Sequence, residues 1–354
     1  MKRLILVVNP GNVSTKIGVY DHDRCVFADT IRHTEAELSR FPGIPSQRGF
    51  RKELILKTLK RRKIPLTHLA AVAARGGLLR PLASGTYRVN DRMLRDLMEA
   101  KAGQHAANLG GLIGYEIARE AKTACYVVDP VSVDESQPLA RYSGHRLFRR
   151  IMLTHALNMK AVARRFAEES RLDYRRINVL VVHLGTGVSL SIHRRGRMID
   201  AVNPREEGTF SMDRSGGLPV MQVARYIIEK RIKYPEFEKM VFGNGGVFSY
   251  LGTQDFIRVR ERYLRKDRKA VEVVRAMAYQ IAKDAGALAT VVEGDVDAVL
   301  ITGGIAHNVF FVEMIRKRIA FIAPVFVYPG EDEMQALADG VWRVFFRQEK
   351  PRIY

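Results

Sequence analysis

Cysteine is nearly absent from this chain, and that scarcity excludes several classes of protein. The sequence of 354 residues holds two cysteines, Cys25 and Cys125, which lie far apart. They form neither a paired disulfide framework nor the closely spaced ligand pattern of zinc and iron–sulfur sites. We therefore expect a reducing, cytoplasmic location and no structural zinc or iron–sulfur centre.

Long apolar runs are also missing. The N-terminal run over residues 4–8 is interrupted by Asn9, Pro10 and Gly11, short of the ~7 to 15 apolar residues of a signal-peptide core. No other stretch reaches the ~20 apolar residues that span a bilayer. The sequence therefore predicts a soluble protein without a membrane partner.

Acidic residues are in deficit. The chain carries 38 Asp and Glu against 58 Lys and Arg, a formal net charge of +20, and a basic surface is the main requirement for binding nucleic acid. The basic residues are scattered, however, and no helix-turn-helix, zinc-finger or aromatic-interleaved RNA-binding pattern is present. A general basic surface is therefore favoured over a dedicated nucleic-acid partner.

What the chain does contain is a foldable composition, with 47% hydrophobic residues. Its length is about twice that of a typical domain of ~100 to 200 residues, which favours two domains. Short β-branched runs alternate with amphipathic segments, as in α/β proteins. Strands are predicted over residues 4–8, 16–20, 70–74, 124–128, 179–182, 189–193, 298–302 and 325–328. Helices are predicted over residues 51–60, 91–100, 108–121, 155–169, 219–230, 269–292 and 334–347.

An internal repeat gives the two-domain prediction a specific form. Without gaps, residues 5–17 align with residues 179–191, and each copy reads strand, polar residue, glycine turn and strand. One copy opens each half of the chain, which indicates two related domains facing each other across a cleft. Unrelated β-hairpins would share this pattern by chance about as often, so the repeat alone does not decide the point.

Three glycine-containing elements lie where phosphate binding is expected. They are residues 9–16, residues 183–187 and the segment from Gly303 and Gly304 to Asn308, which follows a predicted strand. Tight glycine turns expose backbone N–H groups to phosphate, and glycine at the carboxyl end of a strand is a common nucleotide position. The first element is not a Walker A loop. The presence of all three glycine elements in this order predicts a nucleotide-binding site.

Isolated charged residues follow other predicted strands or precede small residues. Arg75 and Arg214 are each followed by small residues, and Asp129 comes directly after an apolar strand. Guanidinium geometry suits phosphate and carboxylate ligands. Each residue taken alone would equally suit a surface ion pair.

Together these motifs resemble the acetate and butyrate kinase family, within the larger group of sugar kinases, actin and heat-shock chaperone ATPases. The similarity runs from Leu4 to the C-terminal helix. It rests on the patterns Asn9-x-Gly11-x-x-Ser14-x-Lys16, His183-Leu184-Gly185-x-Gly187, Arg214-Ser215-Gly216 and Thr302-x-Gly304-Ile305-x-x-Asn308. Residues 74–78, 105–110, 129–135, 155–161 and 328–334 resemble the butyrate-kinase branch more closely.

The resemblance implies an α/β fold with two actin-like (ribonuclease H-like) lobes and an active-site cleft between them. Domain I would comprise residues 1–148 with 334–354 and hold the acyl and phosphoryl side. Domain II, residues 149–333, would hold the nucleotide. The implied reaction is ATP-dependent phosphorylation of butyrate or a related acid to its acyl phosphate, with ATP formed in reverse. The family also implies a homo-oligomer, a dimer or a multiple of dimers.

Residue by residue, the resemblance implies roles at the acyl and phosphoryl side. Asn9 and Ser14 would border the transferred phosphoryl group, and Arg75 and Arg214 would hold the carboxylate and the transition state. His155 would support the phosphoryl oxygens and His105 would line the acyl site. Mg²⁺ would be organised by Asp129 and Glu331. The nucleotide would be held by His183, Gly185, Thr186, Gly187, Asp255, Gly303, Gly304 and Asn308.

The sequence departs from the family pattern at a few positions. Asn12 stands where the family usually has serine, and Thr186 stands where butyrate kinases usually have glycine. Residues 206–210 match only in part. None of these departures removes a charged group of the implied site, so the expected effect is on nucleotide affinity.

Two alternative interpretations stay open from the sequence. The acid could be acetate, propionate, isobutyrate or a branched acid, because one methylene changes binding by only ~1 to 3 kcal/mol. The chain could also be a non-catalytic nucleotide-dependent switch, or a basic nucleic-acid binder, on the same scaffold. A switch needs the glycine turns but not the acyl-site charges, so the presence of Arg75, His155 and Arg214 favours the enzyme.

The chemistry predicts direct transfer. A carboxylate acceptor has a reference pKa near ~4, so it is already ionised at neutral pH and needs no general base. The enzyme has to bring two anions together and stabilise a metaphosphate-like transition state. We therefore expect in-line transfer without a phosphoenzyme.

Overall fold

The computed structural model describes residues 3–354. These residues form twelve β-strands, which are assigned to two separate sheets. The strands are β1 (Leu4–Pro10), β2 (Ser14–Asp21), β3 (Arg24–Arg32), β4 (Leu69–Arg75), β5 (Thr86–Arg88), β6 (Ala124–Val128), β7 (Asn178–Leu184), β8 (Val188–Arg194), β9 (Arg197–Val202), β10 (Ala298–Gly303), β11 (Val325–Pro329) and β12 (Arg352–Ile353).

The same residues form twelve α-helices. They are α1 (Glu35–Leu38), α2 (Arg48–Arg61), α3 (Asp91–Glu99), α4 (Asn108–Glu120), α5 (Ala156–Glu169), α6 (Val220–Lys230), α7 (Tyr234–Val241), α8 (Gly246–Leu251), α9 (Phe256–Leu264), α10 (Arg268–Ala289), α11 (Val309–Ile319) and α12 (Glu333–Phe345). Across the described part of the chain, no helix combines the length and apolarity needed to cross a membrane.

The chain divides into two compact units. Unit 1 comprises the chain up to Val133 and the segment Asp332–Tyr354, and unit 2 comprises Asp134–Glu331. The predicted domains had assigned residues 134–148 to the first domain, whereas the structure groups them with unit 2. The backbone explains this difference, because Gln137 N–H donates to the carbonyl oxygen of Ile199 in β9 at 2.9 Å.

Unit 1 is a seven-stranded sheet in the order β12-β5-β6-β4-β1-β2-β3. Strands β1, β4 and β6 run parallel, while β2 and β3 continue from β1 as an antiparallel meander. Gly111 of α4 lies against Val127, and Gly340 of α12 lies against Val128. Because successive strand residues point to opposite faces, α4 and α12 cover opposite faces of the sheet.

Unit 2 is a five-stranded sheet in the order β11-β10-β7-β8-β9. Strands β7, β10 and β11 run parallel, and β8 and β9 are antiparallel. Val179 and Val181 pack with helix α5 on one face, while Leu180 and Val182 pack with α10 and α11 on the other. The burial of β7 on both faces accounts for its apolar run over residues 179–182.

The two units repeat one topology. In each, three antiparallel strands are followed by two parallel ones, as β3-β2-β1-β4-β6 and as β9-β8-β7-β10-β11. The predicted α/β class is therefore confirmed, and the repeat is real. Its ungapped alignment was wrong by one residue after the turn: Asn9 pairs with Lys16, but His183 pairs with Ser189, because the second turn is one residue shorter.

Candidate active site

Three of the sequence-predicted residues meet at one edge of the unit 1 sheet. Asn9 is the next-to-last residue of β1, Arg75 ends β4 and Asp129 directly follows β6. These strands are adjacent and parallel, so their carboxyl ends lie together. Arg75 Nη1 donates to Asn9 Oδ1 at 3.3 Å.

A fourth residue, Glu333, completes this cluster and was missed by the sequence analysis. Its Oε2 accepts from Asn9 Nδ2 at 2.9 Å and from Arg75 Nη1 at 2.5 Å, and the residue is 8% exposed. The acidic run from Glu331 to Glu333 left the choice of carboxylate ambiguous. Helical spacing would have resolved it, because Glu333 shares the buried face of α12 with Leu337.

Asp129 is held in an uncommon backbone conformation. Its φ is +37°, in the left-handed region that aspartate tolerates better than most residues, and it is 1% exposed. Its Oδ1 accepts from the Ser84 hydroxyl at 2.6 Å and from the Gly85 N–H at 2.7 Å. These bonds fix the direction of the carboxylate at the strand edge.

Ser14 and His105 occupy different surroundings within unit 1. Ser14 opens β2, and its carbonyl accepts from the Gly11 N–H at 2.7 Å, which closes the turn after Asn9. His105 is exposed just before α4, where its Nδ1 accepts from the Ala107 N–H at 3.1 Å. His105 also borders a small recess lined mainly by apolar residues such as Leu109.

In unit 2, two histidine rings stack on each other. The ring centroids of His155 and His183 lie 3.9 Å apart, at an interplanar angle of 15°. His155 Nδ1 lies 2.8 Å from the Ser189 hydroxyl, and His183 Nδ1 lies 2.8 Å from Asn158 Oδ1. An amide oxygen only accepts, so this arrangement assigns the proton of His183 to Nδ1.

The other nitrogen of His183 faces Glu331. Nε2 lies 3.1 Å from Glu331 Oε1, but the geometry is not that of a hydrogen bond and this buried nitrogen has no hydrogen-bond partner among residues 3–354. A β-carbon on Gly185 would lie 2.9 Å from the same Nε2 and 3.2 Å from Oε1. The glycine therefore leaves room for both side chains beside the turn.

Arg214 lies against the turn between β7 and β8. A β-carbon on Gly187 would overlap its guanidinium, and its Cζ lies 4.7 Å from the ring centroid of Phe242. Nε is 3.5 Å from Asp213 Oδ1, and it is buried without a hydrogen-bond partner in the described structure. Burial lowers the pKa of Arg214 and raises the pKa of Asp213. Both pKa shifts have the same main cause, the loss of water around a charged group.

The third glycine element lies at the same edge of the unit 2 sheet. Gly303 ends β10, which runs parallel to β7 with Thr302 paired to His183. Gly303 has φ +97° and exchanges two backbone hydrogen bonds with Gly330, of 3.1 and 2.9 Å. The exposed Gly304 follows it, and Asn308 precedes α11 with its Nδ2 donating to the Ile305 carbonyl at 3.2 Å.

Asp255 has a defined structural task. It caps α9, with Oδ1 accepting from the Ile257 N–H at 2.8 Å. The next residue, Phe256, packs edge-on against Phe311 of α11 with centroids 5.1 Å apart. The sequence signal that was interpreted as a nucleotide contact is therefore also a helix N-cap.

The fold matches that of solved carboxylate kinases. The crystal structure of Porphyromonas gingivalis acetate kinase superposes with a TM-score of 0.79, covering 97% of this chain and 99% of that chain at 17% identity. Each unit therefore has the actin-like α/β fold that the sequence predicted.

Sequence comparison narrows the assignment. The model of the acetokinase family matches residues 139–323. Butyrate kinase 2 of Clostridium acetobutylicum is 44% identical over 100% of both chains, and butyrate kinase 1 of the same organism is 46% identical over 99% of both. The chain belongs to the acetokinase family, and the predicted ATP-dependent kinase activity on a carboxylate is confirmed.

Proposed function

We propose that the chain phosphorylates butyrate, or a closely related short-chain acid, with ATP, and forms ATP from the acyl phosphate in reverse. The observation that carries this proposal is the cluster of Asn9, Arg75 and Glu333 beside Asp129 at the parallel-strand edge. It occurs in a chain 44–46% identical to butyrate kinases along its whole length. Charge stabilisation is the chemistry that this cluster supports.

Within the proposal, the arginines bring the two anions together. Arg75 and Arg214 hold the acid carboxylate and the phosphoryl oxygens, while Asn9 and Ser14 border the transferred group. His155 donates to the equatorial oxygens, and His105 lines the acyl site. Each well-placed donor to the developing charge supplies ~3 kcal/mol.

The nucleotide is assigned to the glycine elements of unit 2. Gly185, Thr186 and Gly187 form a tight turn beside His183, and Gly303, Gly304 and Asn308 lie at the end of the adjacent strand. Backbone N–H groups at such strand ends bind phosphates. Asp255 belongs to the adenosine side through the packing of α9 on α11.

Mg²⁺ fits the donor set of the proposed site. The described residues contain no group of three or more His, Cys, Asp or Glu side chains that would hold a metal by themselves. This is compatible with Mg²⁺, which binds one or two carboxylates together with substrate phosphates and water. Asp129 and Glu331 are the residues proposed to hold it. When bound, the ion neutralises phosphate charge.

Asp129→Asn tests the metal assignment. Asparagine tolerates the left-handed φ and can accept the same two hydrogen bonds, so the fold should survive. We expect a lower kcat and a Mg²⁺ concentration for half-maximal rate raised about 10-fold, the size of effect seen when a metal-site group is lost. Asp21→Asn is the control, because Asp21 ends β2 at the opposite sheet edge and pairs with Arg3. An unchanged Mg²⁺ titration for Asp129→Asn would leave Asp129 a structural residue.

Direct transfer predicts inversion of configuration at phosphorus. The acceptor is already ionised, and none of the proposed site residues is a nucleophile paired with a base, so a single displacement is expected. The competing route through a phosphorylated His155 or Glu331 would give two displacements. Turnover of ATP with a chiral γ-phosphoryl group and butyrate distinguishes them, and net retention would contradict the single step.

An acid panel tests the proposed substrate. Hydroxamate formation would be measured with ATP, Mg²⁺ and acetate, propionate, butyrate, isobutyrate or a longer branched acid. The proposal expects the highest kcat/KM with butyrate. A preference for another acid would correct the substrate, and ATP binding without turnover of any acid would favour the nucleotide-dependent switch.

A salt titration of DNA binding tests the alternative that the chain is a basic nucleic-acid binder. The cytoplasmic location and the homo-oligomeric state stay predictions.

A further inference from the structure

Arg51 is a buried arginine in α2 whose guanidinium faces the turn between β1 and β2. The residue is 1% exposed. Its Nη1 donates to the carbonyl oxygens of Gly11 at 2.8 Å and Ser14 at 3.1 Å, and to the Thr15 hydroxyl at 3.2 Å. Its Nη2 donates to the carbonyl of Asn12 at 3.0 Å. One side chain therefore binds most of the turn.

The remaining hydrogen bonds of Arg51 go to another neutral group. Nε and Nη2 both donate to Oε1 of Gln47, at 3.1 and 2.8 Å. Arg51 is thus surrounded by carbonyl, hydroxyl and amide oxygens, and its hydrogen-bond partners in residues 3–354 include no carboxylate. Burial lowers the pKa of Arg51 to about 10, which reflects the cost of keeping this charge out of water.

The other titratable groups near the turn leave this charge uncompensated. His33 Nε2 lies 2.8 Å from the Thr15 hydroxyl, and burial together with Arg51 lowers the pKa of His33 to about 4. His33 is therefore neutral at pH 7. Glu37 lies beyond it and is hydrogen-bonded to Thr34, at the start of α1. The guanidinium keeps its full positive charge behind the turn.

A buried charge without a counter-ion is costly, and an anion bound nearby would relieve that cost. The turn held by Arg51 lies between Asn9 and Ser14, the residues proposed to border the phosphoryl group. The carbonyl oxygens of Gly11, Asn12 and Ser14 point to the guanidinium, so oxygens that would repel a phosphoryl group are bound to Arg51 instead. The orientation of these carbonyl oxygens and the positive charge of Arg51 therefore both favour a phosphoryl group beside the turn.

We infer that Arg51 is a positioning residue for phosphoryl transfer, which holds the Gly11–Ser14 turn and attracts the phosphoryl group with its uncompensated buried charge. This inference rests on the proposed role of Asn9 and Ser14. A purely structural arginine would need the hydrogen bonds but not the charge. Substitutions at Gln47 separate the two.

Gln47→Glu keeps an acceptor oxygen at the same position and adds a carboxylate against the guanidinium. Its hydrogen bonds with the guanidinium become those of an ion pair, so the melting temperature should be unchanged or higher. The net charge behind the turn is cancelled, and kcat/KM for ATP should fall about 10-fold, the order expected for one unit charge acting through partly buried protein. Gln47→Leu is the matched variant: it removes two hydrogen bonds and keeps the charge, so stability should fall while kcat/KM changes less.

Substitutions of Arg51 itself give a second line of evidence. Arg51→Met should lower kcat/KM for ATP and for butyryl phosphate by about 10- to 100-fold, the size of loss found when groups that orient metal ligands are mutated. Arg51→Lys keeps the charge and should recover part of the loss. Arg48→Met is the control, because Arg48 lies on the same helix and pairs with Glu116 at 2.7 Å.

The outcomes separate this inference from the proposed function. An active wild-type enzyme with a stable, fully active Gln47→Glu variant would overturn the charge role. Equal losses in Arg51→Lys and Arg51→Met would also contradict it. A wild-type chain that phosphorylates no carboxylate would instead remove the proposed function on which the inference stands.

Discussion

Replacing Arg75 with alanine should lower kcat by about 10²-fold or more, equivalent to ~2.7 kcal/mol of lost transition-state stabilisation. Arg75 Nη1 lies 2.5 Å from Glu333 Oε2 and 3.3 Å from Asn9 Oδ1, so the guanidinium is already oriented without substrate. Such orientation is what makes a charged donor effective at a transition state. The same substitution at Arg214 should have a similar effect, because its buried guanidinium has an unpartnered Nε.

The control for Arg75→Ala should lose an ion pair without losing activity. Arg80 lies five residues further along in unit 1 and binds Asp96, with Nε 2.9 Å from Oδ2. Arg80→Ala therefore removes an arginine–carboxylate pair that the proposal does not place at the site. Steady-state kinetics, with circular dichroism to show folding, compare the two. A folded Arg75→Ala enzyme with near wild-type turnover would contradict the assignment of Arg75.

The central strands could be predicted from the sequence because a strand buried on both faces requires a run of apolar residues. All eight predicted strands lie within observed ones, and β1, β4, β7 and β10 are almost entirely buried. Strand β3 was missed because its residues are mostly exposed, and its pairing with β2 supplies the order that its own sequence lacks. Strands β5 and β12 are too short to show a period, and β9 was also missed although five of its six residues are buried.

The predicted helices omit α1, α7, α8, α9 and α11. Helix α11 was missed although it buries Phe311, Val312, Ile315 and Ile319. Helix α7 has no buried residue in this chain, and α8 spans only six residues. Helix α9 was missed although its start signal was noticed, since Asp255 was interpreted as a nucleotide contact and not as the N-cap that it forms. A polar residue at the end of a loop can cap a helix or contact a ligand, and only the structure shows which hydrogen bonds it makes.

The site could be predicted only in part. Asn9, Arg75 and Asp129 were accessible because strand ends are local features and parallel strands bring them together. Glu333 meets Asn9 from 324 positions away, and Arg51 reaches the glycine turn from a separate helix. Arg51 lies outside the motifs, and its contact with the turn depends on tertiary packing; Glu333 lies within the quoted segment 328–334, but only the helical spacing of α12 distinguishes it from Glu331.

Gly303→Ala should destabilise the protein by about 3 kcal/mol or more. Gly303 has φ +97° and ψ 169°, a region essentially restricted to glycine, and forcing another residue there costs ~1 to 3 kcal/mol. A β-carbon would also lie 2.6 Å from the carbonyl carbon of Leu184, at the end of the adjacent strand. Because the atoms met at Leu184 are backbone atoms, rotation of a side chain cannot relieve the overlap.

The neighbouring substitution Gly304→Ala provides the comparison. A β-carbon on Gly304 meets no atom within 4 Å, and its φ does not lie in the left-handed region, so stability should change by less than about 0.5 kcal/mol. Because exposed Gly304 is proposed to lie beside the nucleotide, its added methyl group should raise KM for ATP without unfolding the protein. Denaturant unfolding and ATP kinetics on both variants check the pair. Equal stability of the two variants would show that the backbone at Gly303 is not under the constraint that its dihedral angles and its contact with Leu184 imply.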